Sequence, residues 1–247
     1  MKLALITDIH ANIEAFEACL AAAERHGAEQ MALLGDFVGY GADPAAVVRR
    51  VRALVQGGAI AVKGNHDEAV AHAPSPFMIE QARRAVNWTR AQLAADDIAF
   101  LDGLPYTVDA HGCLFTHANA HDPPGWEYLS GRAEARRSLD AASAPLVFAG
   151  HVHEPRVFRR NAHDELVDLV PAPGVAIELS AARQWLLLPG SAGQPRDGNP
   201  AACWAMLDLG AGTLTFHRSA YDQVRAAGKI IAAGLPPSLG QRLLIGA

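Results

Sequence analysis

The stretch Ala61-Val62-Lys63-Gly64-Asn65-His66-Asp67-Glu68 joins an apolar run directly to a glycine, an amide, an imidazole and two carboxylates. A buried strand that ends near Lys63 would place these polar side chains together beyond a sheet edge, because the glycine lets the backbone turn sharply. An ordinary polar turn is the alternative interpretation, since turns also use Gly, Asn and Asp. The preceding residues favour the strand end, because they repeat the same arrangement twice.

Two earlier apolar runs also end in residues that can bind metals or move protons. Residues 2–7 predict a buried strand followed by Asp8-Ile9-His10, and residues 31–34 predict a second strand followed by Gly35-Asp36. Helices predicted over residues 13–26 and 44–56 separate these strands from a third over residues 59–63. Open α/β sheets bind ligands at the carboxyl ends of their strands, so the sequence predicts a site there.

From residue 104 onward, short apolar segments predict a second sheet. His117 follows one segment and His151-Val152-His153 follows another, so imidazoles again stand at predicted strand ends. The predicted strands cover residues 106–108, 113–116, 146–149, 157–158, 166–169, 175–179 and 185–188. Helices over 77–94, 132–142 and 221–233 and a hairpin over 202–218 complete the assignment, and the tail after Gly234 is predicted as a loop, with at most a helical turn near 239–244.

The composition of the 247-residue chain is that of an ordinary globular protein, with 50% hydrophobic and 19% charged residues. No apolar run approaches the roughly 20 residues of a membrane helix, and the first run is too short for a signal peptide, so we expect a cytoplasmic protein without a membrane partner. The net charge of −5 argues against a stable nucleic-acid partner. The three cysteines form no C-x-x-C pair, which disfavours a disulfide framework and a thiolate metal site.

The polar residues at the predicted strand ends form one chemically consistent set: Asp8, His10, Asp36, Asn65, His66, His117, His151 and His153. Imidazole nitrogens combined with carboxylate oxygens suit transition ions such as Mn²⁺, Fe²⁺, Ni²⁺ or Zn²⁺, whereas Mg²⁺ and Ca²⁺ favour oxygen ligands alone. The set is large enough to hold two metal ions.

These motifs resemble the motif series of the calcineurin-like metallophosphoesterases: Asp8-Ile9-His10, Gly35-Asp36, Gly64-Asn65-His66-Asp67, His117 and Gly150-His151-Val152-His153. Residues 35–41 and 189–196 look like the small bacterial branch described as phosphodiesterases or diadenosine tetraphosphatase-like proteins. The resemblance covers residues 1 to about 200. It implies an α/β fold, a four-layer α/β/β/α sandwich of two mixed β-sheets flanked by helices, known as the metallo-dependent phosphatase fold. We expect a single domain over residues 1–247, with the motifs in 1–200 and a hairpin and helix in 201–247.

The resemblance also implies a division of the ligands between two divalent transition-metal ions, drawn from Mn²⁺, Fe²⁺ or Fe³⁺, Ni²⁺ and Zn²⁺. One ion would be held by Asp8, His10, Asp36 and His153, and the other by Asp36, Asn65, His117 and His151. It implies hydrolysis of a small phosphorylated substrate by a metal-bridging hydroxide. His66 is then the catalytic residue, as a general acid or as a stabiliser of charge on the phosphoryl group.

Two positions depart from the larger phosphoprotein phosphatases, which have there an aspartate that orients the acid histidine and an arginine that holds phosphate. Gly39 and Tyr40 occupy these positions, which disfavours a protein phosphatase. Arg196 is a candidate replacement contact to substrate, with a surface arginine in a Gly/Pro loop as the alternative. Asn12 is either a second substrate contact or only a helix cap.

Three functions remain open on the sequence. The first is a dinuclear phosphoesterase that acts on small phosphodiesters, phosphomonoesters or nucleotides. The alternatives are a symmetrical dinucleoside tetraphosphate hydrolase and a non-catalytic metal-binding scaffold on the same fold. Loops 71–76 and 121–129 are expected to set specificity. The histidines without matching partners are interpreted as structural or surface residues: His26, His72, His111, His163 and His217.

Overall fold

A computed structural model describes residues 1–75, 78–161, 163–180 and 183–247. Twelve strands and eight α-helices lie within these ranges. The strands are β1 (Lys2–Ile6), β2 (Gln30–Leu33), β3 (Ile60–Ala61), β4 (Thr107–Ala110), β5 (Cys113–Thr116), β6 (Leu146–Phe148), β7 (Pro155–Arg160), β8 (Leu166–Leu169), β9 (Ala176–Glu178), β10 (Trp185–Pro189), β11 (Ala202–Asp208) and β12 (Thr213–Ser219). The helices are α1 (Ile13–Arg25), α2 (Pro44–Gln56), α3 (Asn65–Ala71), α4 (Glu80–Gln92), α5 (Ala95–Asp102), α6 (Arg132–Ala141), α7 (Gln223–Ala232) and α8 (Pro237–Ile245).

The strands form two mixed sheets, each with six strands among the described residues. The first sheet has the order β3-β2-β1-β11-β12-β9, in which β1, β2 and β3 are parallel and β11 runs antiparallel to β1. The second sheet has the order β4-β5-β6-β10-β7-β8, with β5, β6 and β10 parallel. Parallel strands of both sheets carry the predicted site residues at their carboxyl ends.

Successive side chains of β1 face opposite sides of the first sheet and connect it to the layers on both sides. Leu3 and Leu5 are buried between the two sheets, whereas Ala4 and Ile6 face the other way and pack with Phe16 of α1. On the far side, α6 covers the second sheet through Leu139. Successive residues of a strand point to opposite faces, so the fully apolar β1 is the expected strand for a sheet covered on both faces. The four-layer α/β/β/α sandwich is confirmed.

One predicted strand lies in a different sheet from the one expected. The segment at 175–179 was expected in the second sheet, but β9 pairs with β12 at the edge of the first sheet. The apolar pattern of a short segment indicates a strand without indicating its partner, and β12 presents an open edge there. The third predicted strand is also shorter than expected, because only Ile60 and Ala61 pair with β2.

Three helices were not predicted. The polar residues after Gly64 form the first turn of α3, α5 follows α4 almost directly, and α8 occupies the C-terminal tail that was expected to be a loop. In the structure a Cβ at Gly240 would lie 3.0 Å from the carbonyl oxygen of Ala227, so this glycine lets α8 pack closely on α7. The helix predicted over 77–94 corresponds to α4, and its first predicted residue, Phe77, lies outside the described residues.

Over the ranges that the structure covers, no helix combines the length and the apolar character needed to cross a membrane.

Candidate metal centre

The seven predicted metal ligands and His66 each follow a strand of one of the two sheets. Asp8 and His10 follow β1, Asp36 follows β2, and the remaining residues follow β3, β5 and β6. Several of these residues have the left-handed backbone conformation that L-residues rarely adopt: Asp8 (φ 51°), His10 (φ 49°), Asp36 (φ 52°), His151 (φ 68°) and His153 (φ 65°). Such conformations concentrate at functional sites, where the surrounding structure holds them in place. Here backbone hydrogen bonds link the loop after β1 to the loop after β2. One of them runs from the His10 amide to the Asp36 carbonyl oxygen at 2.9 Å.

The strand ends bring two groups of potential ligand atoms together. One group comprises Asp8, His10, Asp36 and His153, the other comprises Asp36, His117 and His151, and the ligand atoms of each group lie within 4.8 Å of one another. Asp36 belongs to both groups. Its Oδ2 lies 3.5 Å from Nε2 of His10 and 3.4 Å from Nε2 of His117, so one carboxylate oxygen stands between the two groups.

Asn65 lies beside the second group. Its Oδ1 is 3.2 Å from Nε2 of His117, and it belongs to the first turn of α3, which directly follows β3. An amide oxygen at this point adds a neutral oxygen ligand to a group that already contains a carboxylate and two imidazoles. The structure therefore brings all seven predicted metal ligands to one place.

Hydrogen bonds to the protein backbone determine how three of the imidazoles face this centre. Nδ1 of His10, His117 and His153 lies close to a main-chain carbonyl oxygen, which can only accept a hydrogen bond, so each Nδ1 carries a proton and the neutral form of each ring presents the lone pair of Nε2. The acceptors are Val38 (3.2 Å), Leu34 (2.7 Å) and Gln194 (2.7 Å), respectively.

Nε2 of His10 and Nε2 of His153 lie only 3.0 Å apart. In the tautomers described above, neither nitrogen has a hydrogen to donate to the other. Two buried lone pairs that point at one another, with the Asp8 carboxylate 3.2 Å from His153, are suited to a shared cation. This donor chemistry fits the metal ions implied by the sequence motifs.

The ionisation of two buried groups, Asp36 and His151, is consistent with cation binding. Burial raises the pKa of the Asp36 carboxyl, but His117 and His66 outweigh this effect and hold that pKa well below its usual range. Burial, assisted by the neighbouring His117, lowers the pKa of His151 to about 3. A carboxylate and a neutral imidazole are the forms in which these side chains bind metals.

His66 belongs to neither group. Its backbone N–H donates to Oδ1 of Asp36 at 2.8 Å, and its ring packs against Tyr40, with centroids 4.5 Å apart. Its Nδ1 is buried and has no hydrogen-bond partner in the described part of the chain. A Cβ at Gly39 would lie only 2.4 Å from this nitrogen, so the glycine leaves the space that the imidazole needs. The His66 ring is therefore held by packing and not by a carboxylate. The catalytic role of His66 stays a prediction.

Asp67 is a structural residue to which the sequence analysis gave no role. It is fully buried, its Oδ1 accepts from the amide of Phe37 at 2.9 Å, and its Oδ2 accepts from the amide of Gly64 at 2.9 Å. The carboxylate thus ties loop 35–41 to the start of α3. A carboxylate at the third position of a helix is one half of a capping box, which is the sequence signal that would have indicated this role.

The neighbouring Glu68 connects α3 to the loop that follows His117. Its carboxylate accepts hydrogen bonds from the Tyr106 hydroxyl at 2.5 Å and from Nε1 of Trp126 at 2.8 Å. The carbonyl oxygen of Trp126 in turn lies 3.1 Å from Nε2 of His151, which must donate to it. This chain of contacts leaves Nδ1 of His151 free to face the centre.

A cavity of about 740 Å³ opens beside the centre and is lined by His66, His151, Trp126, Tyr128 and Arg196, among others. Tyr128 stacks on His151 with ring centroids 4.0 Å apart. The Arg196 guanidinium donates to Oε1 of Gln194 at 3.0 Å and lies 6.0 Å from the centre of the Tyr40 ring. Arg196 and part of the loop 121–129 thus line the cavity beside the centre, and their contact with a substrate stays a prediction.

Asn12 is engaged within the protein at both ends of its amide. Its Oδ1 caps α1 by accepting from Ala15 at 3.1 Å, and its Nδ2 donates to the carbonyl of Gly193 at 2.9 Å. The helix-cap interpretation describes this residue. The histidines interpreted as structural or surface residues lie outside both ligand groups.

Comparison with known proteins assigns the chain to a class. Residues 1–212 match the sequence model of the calcineurin-like phosphoesterase superfamily domain. The chain belongs to this superfamily of metal-dependent phosphoester hydrolases, and its clustered aspartates and histidines are able to hold metal ions.

Individual relatives share the full length of the chain. An uncharacterised protein of Methanocaldococcus jannaschii is 34% identical over 99% of this chain and 98% of its own. The crystal structure of a metallophosphoesterase from Sphaerobacter thermophilus is similar with a TM-score of 0.90 and 35% identity, over 100% of this chain and 99% of that one. A hypothetical protein from Pyrococcus horikoshii has the same fold, with a TM-score of 0.81 and 18% identity over 100% of this chain and 98% of its own.

Proposed function

We propose that this protein is a dinuclear metal-dependent phosphoesterase that hydrolyses small phosphodiesters, phosphomonoesters or nucleotides in the cytoplasm. The observation that supports the proposal most directly is the position of Asp36, whose Oδ2 stands between two groups of buried imidazoles and carboxylates. Ions held there would supply a nucleophile derived from water near neutral pH and would neutralise charge on the phosphoryl oxygens. Mn²⁺ is the ion that we expect to support turnover best.

The residues around the centre have complementary tasks in this proposal. Arg196 would bind a phosphoryl oxygen, because its guanidinium lies near Tyr40 at the wall of the cavity. His66 would donate a proton to the leaving oxygen, since its ring lines the same cavity without contributing to either ligand group. Tyr128 and Trp126 would exclude water from the opposite side.

Metal titration and turnover of bis-p-nitrophenyl phosphate test the proposal. We expect two equivalents of Mn²⁺ per chain and turnover that is lost on EDTA treatment and restored by Mn²⁺. Asp36→Asn should lose both metal and turnover. His66→Ala should keep both metal ions and lose roughly 100-fold or more in kcat, the usual contribution of a general acid. His111→Ala, which changes an exposed histidine remote from the centre, is the matched control.

Two outcomes would replace the proposal by one of its alternatives. Unchanged turnover in the metal-free protein would refute a metal mechanism. Binding of less than one equivalent of metal, with no turnover of any phosphoester in a panel, would favour the non-catalytic scaffold. The aromatic cavity also justifies including diadenosine tetraphosphate in that panel, because formation of two ADP molecules would identify the symmetrical dinucleoside tetraphosphate hydrolase.

A further inference from the structure

The cavity beside the metal centre extends to a part of the protein that carries none of the sequence motifs. Its lining includes His66, His151 and Arg196 and also Met78, Ile79 and Arg242, the last of which belongs to the C-terminal helix α8. A volume of about 740 Å³ lies at the upper end of the range for small-molecule sites. The cavity therefore offers room for much more than the phosphoryl group that reacts.

Arg242 is a half-buried arginine whose guanidinium makes no hydrogen bond or ion pair within the ranges that the structure covers. Other cations near the C-terminus are paired: Arg225 lies 3.2 Å from Glu14, and Arg218 contacts Asp197. A basic residue in the last turn of a helix is favoured by the helix dipole. The dipole does not explain why this guanidinium lines the cavity and has no carboxylate partner.

The position of Arg242 is fixed by packing rather than by charge. Leu239 and Leu243 on the same helix are buried in a cluster that also contains Tyr40 and Ala82. The close approach of Gly240 to Ala227 holds α8 against α7. Arg242 is consequently presented from a rigid helix, which lowers the entropic cost of binding a ligand.

Arg196 and Arg242 both line the cavity and come from different parts of the chain. Arg196 lies 6.0 Å from the centre of the Tyr40 ring, which itself packs 4.5 Å from the ring of His66. Arg242 belongs to α8, whose Leu239 and Leu243 pack in the same cluster as Met78, and both Met78 and Ile79 also line the cavity. The cavity is therefore lined by one arginine near Tyr40 and His66 and by a second arginine on α8, together with apolar side chains.

We propose that Arg242 is a specificity-determining residue that binds a second anionic group of the substrate. The substrate class would be a phosphoester whose organic part is an apolar or aromatic group, such as a nucleoside, carrying another phosphate or carboxylate. The organic part lies against Met78, Ile79 and Trp126, and the distal anion pairs with the guanidinium in the bidentate manner typical of arginine. This inference rests on the proposed function, because it assumes that the reacting phosphate is bound at the metal centre.

Binding of two nucleotides that differ only in the distal phosphate tests the inference on the Mn²⁺-loaded protein, with His66→Ala as the common background so that neither nucleotide is hydrolysed appreciably during the titration. Calorimetry should show that thymidine 3′,5′-bisphosphate binds about 10-fold or more tightly than thymidine 5′-monophosphate, as one charge-assisted hydrogen-bonded pair allows. Arg242→Gln should abolish this preference without weakening binding of the monophosphate. Arg242→Lys keeps the positive charge but not the planar guanidinium donors, so it should retain part of the preference for the bisphosphate. Arg225→Gln should retain the full preference.

Turnover separates this inference from the proposed function. The p-nitrophenyl ester of thymidine 5′-phosphate and its 3′-phosphorylated form both react by cleavage of the P–O bond to p-nitrophenol, with water supplying the new oxygen and the proton. We expect a KM about 10-fold lower for the 3′-phosphorylated ester, equal KM values in Arg242→Gln, and the same kcat throughout. Equal affinities in the wild-type protein, or a preference that survives Arg242→Gln, would overturn the subsite. A binding preference without turnover of either ester would leave the subsite in place and refute the phosphoesterase.

Discussion

Replacing Gly39 with alanine tests whether the packing of loop 35–41 against His66 is required for turnover. Gly39 has a φ of +86°, a conformation that costs an L-residue roughly 1–2 kcal/mol. Its new Cβ would lie 2.4 Å from Nδ1 of His66, whereas ordinary contacts begin at 3.4 Å. The imidazole must therefore move by about 1 Å. A misplacement of about 1 Å in a reacting group costs about 100-fold in rate, so we expect kcat to fall by about that factor.

Gly58→Ala is the matched control for this experiment. Gly58 has a similar φ of +94°, and a Cβ there would meet nothing within 4 Å. Urea unfolding should show that both variants lose roughly 1–2 kcal/mol of unfolding free energy from backbone strain. Turnover of bis-p-nitrophenyl phosphate with two bound Mn²⁺ ions should fall only in Gly39→Ala. Equal kcat values in the two variants would refute the argument that the glycine makes room for a working His66.

Three further predictions concern titratable side chains that are buried or partly buried. Glu68→Gln weakens the contact to Trp126, whose carbonyl orients His151, and should raise the Mn²⁺ dissociation constant about 10-fold in calorimetry; an unchanged constant would contradict this. Asp67→Asn replaces one of two oxygens that accept backbone N–H bonds by an NH2 group that cannot accept, and should lower the unfolding free energy in urea by about 1–3 kcal/mol, whereas a wild-type value would show that the bonds contribute little. Burial lowers the pKa of Lys229, but its hydrogen-bonded carboxylate partners outweigh this effect and raise it above 10.5. Lys229→Met should therefore lower the unfolding free energy by about 0.5–1 kcal/mol. This contribution should be fully present below pH 10.5 and should disappear as the pH rises through the elevated pKa of Lys229. Unfolding curves of both proteins across this pH range will check the trend.

The sequence predicted those parts of the fold in which a local pattern of apolar residues is compatible with a single secondary structure and a single position. The apolar run of β1 is buried on both faces, so its residues predict both a strand and its central position. Asp8, Asp36 and His117 each follow such a strand, and parallel strands carry their carboxyl ends to the same edge. Convergence of the ligands could be inferred for that reason, together with the likeness of their motifs to a known family.

The remaining features depend on contacts between distant parts of the chain. The apolar pattern of residues 175–179 could not reveal that β9 pairs with β12 rather than with the second sheet. Gly240 resembles a helix breaker until α7 is present to pack against it. Arg242 could not be connected with the cavity because only the packing of α8 brings it there.

The place of β11 in the first sheet has a consequence for biosynthesis. β11 pairs along β1 with Lys2 opposite Asp208 and Leu5 opposite Ala205, so these neighbours are separated by about 200 residues of chain. At about 5–20 residues per second, a ribosome would deliver β11 roughly 10 to 40 s after β1. Until then the nascent chain has an unpaired strand edge next to Asp8, a surface prone to pairing with other chains. Nascent chains stalled before residue 208 are therefore the form most exposed to aggregation.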